Sequence, residues 1–372
     1  MSANRFTTSA SFTHAQGERT AIVLLQLGTP DAPHPKEVRA YLKQFLSDPR
    51  VVEIPKLVWS LILNGIILNV RPKKSAAKYA TVWTDEGSPL AVHTIRQTKL
   101  LKGFLGERGH DIEVVYAMRY GNPSIGSVLN ELREMNVTRL LCIPLYPQYA
   151  GATTATAIDE VFRELSGWRN QPELRTIRAF AKDQGYINAL AKNIRKAWQS
   201  GGRPQKLVMT FHGVPKRTLM MGDPYHCECL VTARLLAEKL ELSKDDYVVT
   251  FQSRFGKAEW LQPYTEPTLQ ELAKSGVTKV DSVCPGFVSD CLETLEEIAM
   301  EGHDAFIEAG GKEFRYIPCL NESDDWIHAL ANLAETHMQG WQTKRLEPSA
   351  AKVEKLVLAQ RQTEAKRLGA TL

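Results

Sequence analysis

Residues 20–26, Thr-Ala-Ile-Val-Leu-Leu-Gln, form a short apolar run that is followed by a Gly-Thr-Pro turn at 28–30 and by helical periodicity over 35–46. Similar runs recur along the chain at 112–116, 139–144, 174–177, 206–211, 247–251, 279–283 and 314–317. Amphipathic segments such as 184–198 separate these runs. Nearly continuous apolar strands that alternate with helices are typical of parallel sheets covered on both faces.

The segment 200–205, Ser-Gly-Gly-Arg-Pro-Gln, is the strongest linker signal and divides these runs four and four. We therefore predict an α/β protein with two Rossmann-like, doubly wound domains, each built on a parallel four-stranded sheet. The predicted boundaries are 1–18 for a loose N-terminal arm, 19–199 with 320–343 for the first domain, 200–319 for the second domain, and 344–372 for a solvated C-terminal tail. Ligands of such folds bind beyond the carboxyl ends of the strands, so we expect a site in the cleft between the domains.

Composition excludes several classes of protein. Of 372 residues, 43% are hydrophobic and 24% are charged, as in an ordinary globular protein. The 46 basic and 42 acidic residues leave a net charge of +4 and are interleaved, so we expect no nucleic-acid partner. Six scattered cysteines without a CxxC pair favour a reduced chain. The N-terminus lacks the apolar region of a signal peptide, so a cytoplasmic location is expected.

His212 is the first candidate for chemistry. It follows the run 206–211 and precedes a turn at Gly213, so it should stand at the carboxyl end of a strand. A histidine in that place is either a base or metal ligand that faces a cleft, or a turn residue hydrogen-bonded to the backbone.

Four carboxylates form the second candidate. A helix that begins near Ser289 or Asp290 would carry them on one face, in a set named the acidic row: Asp290, Glu293, Glu297 and Glu301. The row is either a solvated surface or a set of hard oxygen ligands and proton carriers. Its place after the run 279–283 favours a role in a site.

Aromatic residues collect near the predicted strand ends. They are Tyr120 beside Arg119, Tyr146, Tyr149 and Trp260. Each alone would be interpreted as core, but together they are suited to line a slot for a planar ligand. No GxGxxG, Walker A or GxSxG motif occurs, which removes the main signatures of dinucleotide, P-loop and hydrolase sites.

In combination, these motifs resemble the ferrochelatase family. In chain order, they are Gln-Leu-Gly-Thr-Pro at 26–30, Gly-Ser-Pro-Leu at 87–90, Tyr-Pro-Gln-Tyr at 146–149 with Thr-Thr at 153–154, Phe-His-Gly-Val-Pro at 211–215, Gly-Asp-Pro-Tyr at 222–225, Gln-Ser-Arg-Phe-Gly at 252–256 with Trp260, and Cys-Pro-Gly-Phe-Val-Ser-Asp at 284–290 followed by Glu-Thr-Leu-Glu-Glu at 293–297. The resemblance covers residues 20 to 342, and several motifs in order are far more specific than any one.

The resemblance implies a lyase that inserts Fe²⁺ into protoporphyrin IX with release of two protons, the last step of haem biosynthesis. It also implies a porphyrin cleft between two chelatase-like domains. In this family pattern His212 and Glu293 are the catalytic and metal-site residues. Asp290, Glu297 and Glu301 would continue as a path for metal or protons. Leu27, Arg119, Tyr120, Tyr146 and Trp260 match positions that line the porphyrin pocket.

Departures from the family pattern refine this expectation. Some members bind an iron–sulfur cluster through cysteines, but Ala150 and Gly151 stand at one such place and no cysteine follows Cys319, so no cluster is expected. Members that act on coproporphyrin usually have Tyr before the Gly-Thr-Pro turn, whereas Leu27 here favours protoporphyrin IX. Cys291 stands where some relatives have a second histidine.

The apolar run 57–70, followed by Arg71-Pro-Lys-Lys74, matches the family's active-site lip. We name residues 57–74 the apolar lip. The run is too short to span a bilayer, which needs about 20 apolar residues. It is either a buried segment or a flap that contacts porphyrin and the inner face of a membrane, with Lys73 and Lys74 near anionic lipid.

Alternatives remain open at this point. A cobalt or nickel chelatase and a coproporphyrin enzyme belong to the same class of chemistry. A tetrapyrrole carrier that binds without metallating belongs to a different class, and the pairing of His212 with Glu293 argues against it.

Overall fold

Two parallel four-stranded sheets organise the protein in the computed structural model, which describes residues 6–7, 9–10, 12–254, 256 and 258–370. The strands are β1 (Arg19–Gly28), β2 (Glu113–Tyr120), β3 (Val137–Pro144), β4 (Glu173–Thr176), β5 (Lys206–His212), β6 (Tyr247–Gln252), β7 (Lys279–Val283) and β8 (Glu313–Tyr316). The first sheet has the order β2-β1-β3-β4 and the second β6-β5-β7-β8. Every pairing is parallel. The predicted fold class and the division of strands four and four are confirmed.

Helices cover the sheets and fill the connections. They are α1 (Pro35–Leu46), α2 (Lys56–Ile62), α3 (Leu68–Val82), α4 (Pro89–Glu107), α5 (Ile125–Glu134), α6 (Thr156–Leu165), α7 (Gln184–Gly201), α8 (Lys216–Met220), α9 (Tyr225–Leu240), α10 (Thr265–Lys274), α11 (Leu292–Thr294), α12 (His303–Glu308), α13 (Asp324–His337) and α14 (Pro348–Arg367). Among the described residues, three π-helical segments interrupt or precede helices: Leu63–Ile67, Gly151–Ala155 and Leu295–Gly302.

Strand β1 explains why the sequence runs are apolar without alternation. Successive side chains of a strand point to opposite faces of the sheet. Ile22 and Leu24 join one buried cluster, while Ala21, Val23 and Leu25 join another on the opposite face. Helices cover both faces, so the central positions 21–25 of the strand all carry apolar side chains.

The two domains share one apolar core and direct hydrogen bonds. The cluster of Ile22 and Leu24 also contains Met209 and Phe211 of β5. The Tyr186 hydroxyl of α7 donates to the Pro285 carbonyl at 2.5 Å. Helix α13 packs against α7 and α4 of the first domain. These contacts fix the two domains against each other.

The described parts of the predicted arm and tail lie on the outside of this frame. Residues 1–5 of the predicted arm are outside the described residues, whereas Thr7 pairs through its backbone with Gly167 and Arg169. Within the predicted tail, α14 contains no buried residue. Among the described helices, none combines the length and apolarity needed to cross a membrane.

Candidate active site

His212 is the last residue of β5 and pairs with Gln252 of β6. Its Nδ1 lies 2.6 Å from the carbonyl oxygen of Gly213. A neutral imidazole in this arrangement donates its Nδ1 proton to the carbonyl, which leaves Nε2 as the free base. The backbone hydrogen bond of the turn interpretation is therefore present, and it orients the ring and leaves one nitrogen available.

The turn after His212 requires glycine. A Cβ on Gly213 would lie 2.6 Å from the Gln252 carbonyl oxygen, and Trp260 packs on the other side at 3.1 Å. The His212 and Trp260 ring centroids are 6.5 Å apart. Trp260 also forms an isolated bridge with Pro215. The local sequence therefore places the predicted base and a predicted pocket residue side by side.

The acidic row takes a different helical form from the expected one. The helix begins at Leu292 instead of Ser289 or Asp290, and it becomes π-helical from Leu295 to Gly302. Cys291 caps it, because its backbone N–H donates to the Thr294 hydroxyl at 3.0 Å. In a π-helix the hydrogen bonds run from i to i+5, a form that occurs frequently at functional sites.

Asp290 is separated from the other members of the acidic row. It is 5% exposed, and both its carboxylate oxygens accept hydrogen bonds. The donors are the Tyr316 hydroxyl at 2.5 Å, the Asn321 amide at 2.7 Å, the Thr294 hydroxyl at 3.1 Å and the Cys319 backbone at 3.2 Å. Through these hydrogen bonds, Asp290 stabilises the loop that precedes the helix.

Glu297 lies deeper than Glu301 and has polar partners at the end of β6. The Ser253 hydroxyl donates to its carboxylate, and the Gln252 amide approaches the same oxygen at 3.4 Å. Burial, together with the neighbouring charge of Glu293, raises the pKa of Glu297 to about 7. This carboxyl group can therefore exchange a proton near neutral pH.

Gln252 connects the base to the acidic row. Besides pairing with His212, it donates from its side chain to the Glu293 carbonyl at 2.6 Å. Our sequence reasoning missed Gln252 and Ser253 as site residues. Their position directly at the end of β6, at the same sheet edge as His212, is a signal that could have found them.

Tyrosines from the first domain border Glu293. Tyr41 and Tyr79 are buried, and the Tyr79 hydroxyl hydrogen-bonds with Tyr41 and Thr29. Burial, and then the nearby Glu293 carboxylate, raises the pKa of Tyr79 well above its ordinary value. Both phenols stay protonated and act as neutral hydrogen-bond donors beside a carboxylate. Sequence reasoning had not singled out this pair.

On the side of the first domain, the structure places Leu27 against an apolar cluster. The cluster contains Tyr41, Tyr79 and Tyr120 of the first domain, and Leu292 of the second domain packs on it. Leu292 directly precedes Glu293. Leu27, which is expected to contact porphyrin, and the helix that carries Glu293 therefore meet at one shared cluster.

Arg119 and Tyr120 converge on Asp48, another residue that sequence reasoning missed. Arg119 Nη2 lies 2.6 Å and the Tyr120 hydroxyl 2.9 Å from Asp48 Oδ2. Burial alone would raise the pKa of Asp48, but hydrogen bonds from Thr156, the Arg50 backbone and Tyr120 lower it, as does the charge of Arg119. Tyr120 is 1% exposed, so its ring is buried within the first domain.

Two predicted pocket residues keep unused polar atoms. Within the described part of the chain, the Tyr146 hydroxyl and the Trp260 Nε1 are buried and have no hydrogen-bond partner. A buried polar group without a partner costs about 1–3 kcal/mol, so both are suited to contact a ligand. The described residues contain no group of three or more His, Cys, Asp or Glu side chains arranged to hold a metal ion.

Comparison with known proteins identifies the group of relatives. Residues 19–338 match the family model described as Ferrochelatase. The chain is 61% identical over 350 residues to a ferrochelatase of Chromobacterium violaceum, covering 94% of this chain and 96% of that protein. It is 57% identical over 365 residues to one of Janthinobacterium sp. strain Marseille, covering 98% and 99%.

Solved structures with the same fold are more distant. SirB from Bacillus subtilis with Fe³⁺ matches with a TM-score of 0.52 at 14% identity, covering 88% of this chain and 99% of that chain. A multidomain protein of Deinococcus radiodurans, described as structurally similar to chelatases, matches with a TM-score of 0.53 at 13% identity, covering 90% and 59%. At this identity the likeness shows the fold alone.

Proposed function

We propose, because this chain belongs to the ferrochelatase family, that His212 and Glu293 carry out its metal and proton chemistry. The protein is a lyase that inserts iron into a porphyrin for haem synthesis. Insertion exchanges one divalent cation for the two N–H protons of the macrocycle. The site therefore needs a base near the pyrrole nitrogens and a route along which the cation enters and the protons leave.

The link through Gln252 is the observation that carries the assignment. Gln252 pairs with His212 across the sheet, and its side chain donates to the backbone carbonyl of Glu293. The base and the carboxylate therefore share one rigid support. When Nδ1 of His212 donates to the Gly213 carbonyl, Nε2 carries no proton and can accept one from the macrocycle. Glu293 then receives the cation through hard oxygen ligands, which hold iron less tightly than thiolates would.

Glu297 and Glu301 continue the route toward solvent. Glu297 has a pKa of about 7, so it accepts a proton from the site and releases it without a large barrier. Glu301 is exposed and lies one further step along the π-helical segment. Asp290 joins this proposal only as a support of the loop, because its oxygens are occupied by structural hydrogen bonds.

An anaerobic assay of haem formation tests the site. We expect His212→Ala and Glu293→Gln each to lower kcat by about 100-fold or more, the range of a lost general base. His328→Ala, which changes a histidine of α13 outside the cleft, serves as a control and should keep the rate of the unmodified protein. Rates within threefold of that protein in either site variant would contradict the assignment.

Leu27 supports protoporphyrin IX as the substrate. This side chain lies in the apolar cluster with Tyr41 and Tyr79, a contact that suits a vinyl group better than a propionate carboxylate. Unmodified protein should metallate protoporphyrin IX with a kcat/KM at least about tenfold above that for coproporphyrin III. An equal or reversed preference would argue for the coproporphyrin enzyme. We expect no resident iron–sulfur cluster, which iron and sulfide analysis of purified protein would check.

The apolar lip supports contact with a membrane surface. Leu57 is 85% and Leu61 78% exposed, and Ile66 and Val70 are also exposed. Such a surface on a monomer commonly marks an interaction site. Lys73 and Lys74 lie at the end of the lip, after the exposed apolar residues, so anionic lipid is the expected partner.

Liposome flotation tests this contact. The protein should float with vesicles that contain phosphatidylserine at low salt, and Leu57→Ser with Leu61→Ser should abolish flotation. Absence of binding by the unmodified protein would refute the membrane contact without affecting the assignment of the site.

A further inference from the structure

No side chain of the Gly-Asp-Pro-Tyr motif at 222–225 takes part in the proposed metal and proton chemistry. The Asp223 carboxylate nevertheless lies between two backbone donors. Its Oδ1 accepts from the Tyr225 N–H at 2.9 Å, at the start of α9 in the second domain. Its Oδ2 accepts from the Gly151 N–H at 2.7 Å, in the first domain. One carboxylate therefore joins the backbones of the two domains.

Gly151 begins a π-helical segment that continues directly into α6. The preceding residue, Ala150, stands at the N-cap and makes no side-chain cap. The first N–H groups of a helix lack partners within the helix, and a negative charge is favourable beside them. A Cβ on Gly151 would lie 3.2 Å from Asp223 Oδ2, so glycine leaves room for the carboxylate to approach. Asp223 thus supplies, from the other domain, the cap that this segment lacks.

Glu228 of α9 makes a second bond of the same kind. Its Oε2 accepts from the Tyr149 N–H at 2.7 Å, and its Oε1 accepts from Arg178 Nη1 at 2.9 Å. The Arg178 guanidinium also lies over the Tyr149 ring, 4.3 Å from the centroid. Two carboxylates of the second domain therefore hold the backbone of residues 149–151.

The segment held in this way leads to the predicted porphyrin pocket. Within the described part of the chain, the hydroxyls of Thr153 and Thr154 are buried and have no hydrogen-bond partner, as expected of groups that meet a ligand. Thr156 follows, and Arg119 Nε donates to its hydroxyl at 2.8 Å and to its carbonyl at 3.0 Å. A shift at Gly151 would therefore be transmitted to the predicted pocket residue Arg119.

The other end of the motif reaches the proposed base. Tyr225 is 7% exposed, and its hydroxyl contacts the backbone of His212. Asp223 holds the backbone N–H of the same tyrosine. The motif therefore connects the strand end that carries the base to one wall of the predicted pocket in the opposite domain.

We infer that Asp223 is a positioning residue that fixes the first-domain wall of the porphyrin pocket against the strand end of His212, and thereby sets the affinity for the macrocycle. A carboxylate is required because the two N–H donors come from different domains, and a neutral amide offers only one oxygen to them. The consequence for metal insertion rests on the proposed function of His212, whereas the effect on porphyrin affinity does not.

Fluorescence titration of the full chain with protoporphyrin IX, without metal, tests this inference. Asp223→Asn and Asp223→Ser should each raise the Kd at least about tenfold, because the Gly151 N–H loses its partner. Serine keeps a short acceptor for the Tyr225 N–H but does not reach Gly151, so α9 keeps its cap and the variant should fold. Circular dichroism checks that it does.

Asp246→Asn is the matched control. Asp246 also accepts from a backbone N–H, that of Ser243 at 2.7 Å, but it does so within one domain and directly before β6, at the opposite edge of the sheet. Its Kd should stay within about twofold of that of the unmodified protein. A rise of less than about tenfold in folded Asp223→Ser would overturn the inference.

Steady-state kinetics separates positioning from a general loss of folded protein. In Asp223→Ser the KM for porphyrin should rise with the Kd, while the KM for Fe²⁺ stays within about twofold; a smaller folded fraction would lower kcat and leave both KM values unchanged. A weakened porphyrin affinity in Asp223→Ser, together with an unchanged rate of haem formation in His212→Ala, would support this inference and count against the proposed base.

Discussion

The two domains have the same frame but carry different chemistry. Both sheets place the first strand of the domain second in the order, between the second and third strands. In both, the backbone of the second strand donates a hydrogen bond to the loop that follows it: Met118 N–H donates to the Pro123 carbonyl and Phe251 N–H to the Pro263 carbonyl. A π-helical segment lies in the connection after the third strand of each domain. No sequence repeat accompanies this correspondence.

The positions that correspond differ in what they can do. By strand register, Leu27 of β1 occupies the place of His212 of β5, and Arg119 that of Gln252. The π-helical segment of the first domain carries Thr153 and Thr154, and that of the second carries Glu297 and Glu301. At these positions the first domain thus carries apolar and hydroxyl groups, and the second carries the proposed base and the carboxylates. A shared frame positions residues, while the residue types decide the reaction.

The largest expected effect comes from exchanging the two strand-end residues. A Leu27→His, His212→Leu double variant moves the imidazole to the corresponding place in the first domain. We expect haem formation to fall by about 100-fold or more, as in His212→Leu alone, because Gln252 connects only β5 to Glu293. Recovery of the rate in the double variant would show that the domains are chemically interchangeable.

The glycines after these residues give the next effect. A Cβ on Gly28 would lie 1.7 Å from the Tyr120 carbonyl oxygen, and φ there is +110°. At Gly213 the corresponding distance to Gln252 is 2.6 Å, without a positive φ. Gly28→Ala should lower the free energy of unfolding by about 3 kcal/mol, and Gly213→Ala by less. Urea denaturation checks the order, which equal losses would contradict.

A pH dependence should distinguish the two π-helical segments. The pKa of Glu297 is about 7 when folded and about 4.5 when unfolded, so the native state holds one more proton between these values. Stability from this group is therefore greatest at low pH and declines as the pH rises from 4.5 to 7, by about 1.4 kcal/mol per unit at most. Glu297→Gln should remove this decline and be more stable than the unmodified protein above pH 7, by about 2–3 kcal/mol.

Urea denaturation between pH 5 and 8 measures this difference. Glu354→Gln on the exposed α14 is the control and should follow the unmodified protein at every pH. If Glu297→Gln runs parallel to the unmodified protein over this range, Glu297 does not hold a proton near neutral pH.

The smallest effect concerns the helices that follow the last strand of each sheet. Asp183 caps α7 by accepting from the Tyr186 N–H at 2.9 Å, whereas Ser323 makes no side-chain cap at α13. Asp183→Ala should cost about 1 kcal/mol, and Ser323→Ala a few tenths at most. Thermal melting of both variants checks the difference, and equal shifts in Tm would mean that the cap on α7 contributes nothing.

Much of the frame was predictable because its signals are local. Each strand was identified from a run of apolar residues, and His212 was placed at a strand end from the glycine turn that follows it. The helical form of the acidic row was not predictable in this way. Spacings of four residues suit an α-helix and a π-helix alike, and only the packing against α3, α10 and β8 distinguishes the two.

By itself, the sequence determined the two-sheet architecture, the strand ends that carry chemistry, and the family resemblance. Tertiary structure alone decided which side chains meet there. Asp223 and Gly151 are 72 residues apart, and Glu228 and Tyr149 are 79 apart. Likewise Asp48 reaches Arg119 across 71 residues. Periodicity and turn residues act over a few positions, whereas such contacts depend on how connections between the strands pack, which no local pattern contains.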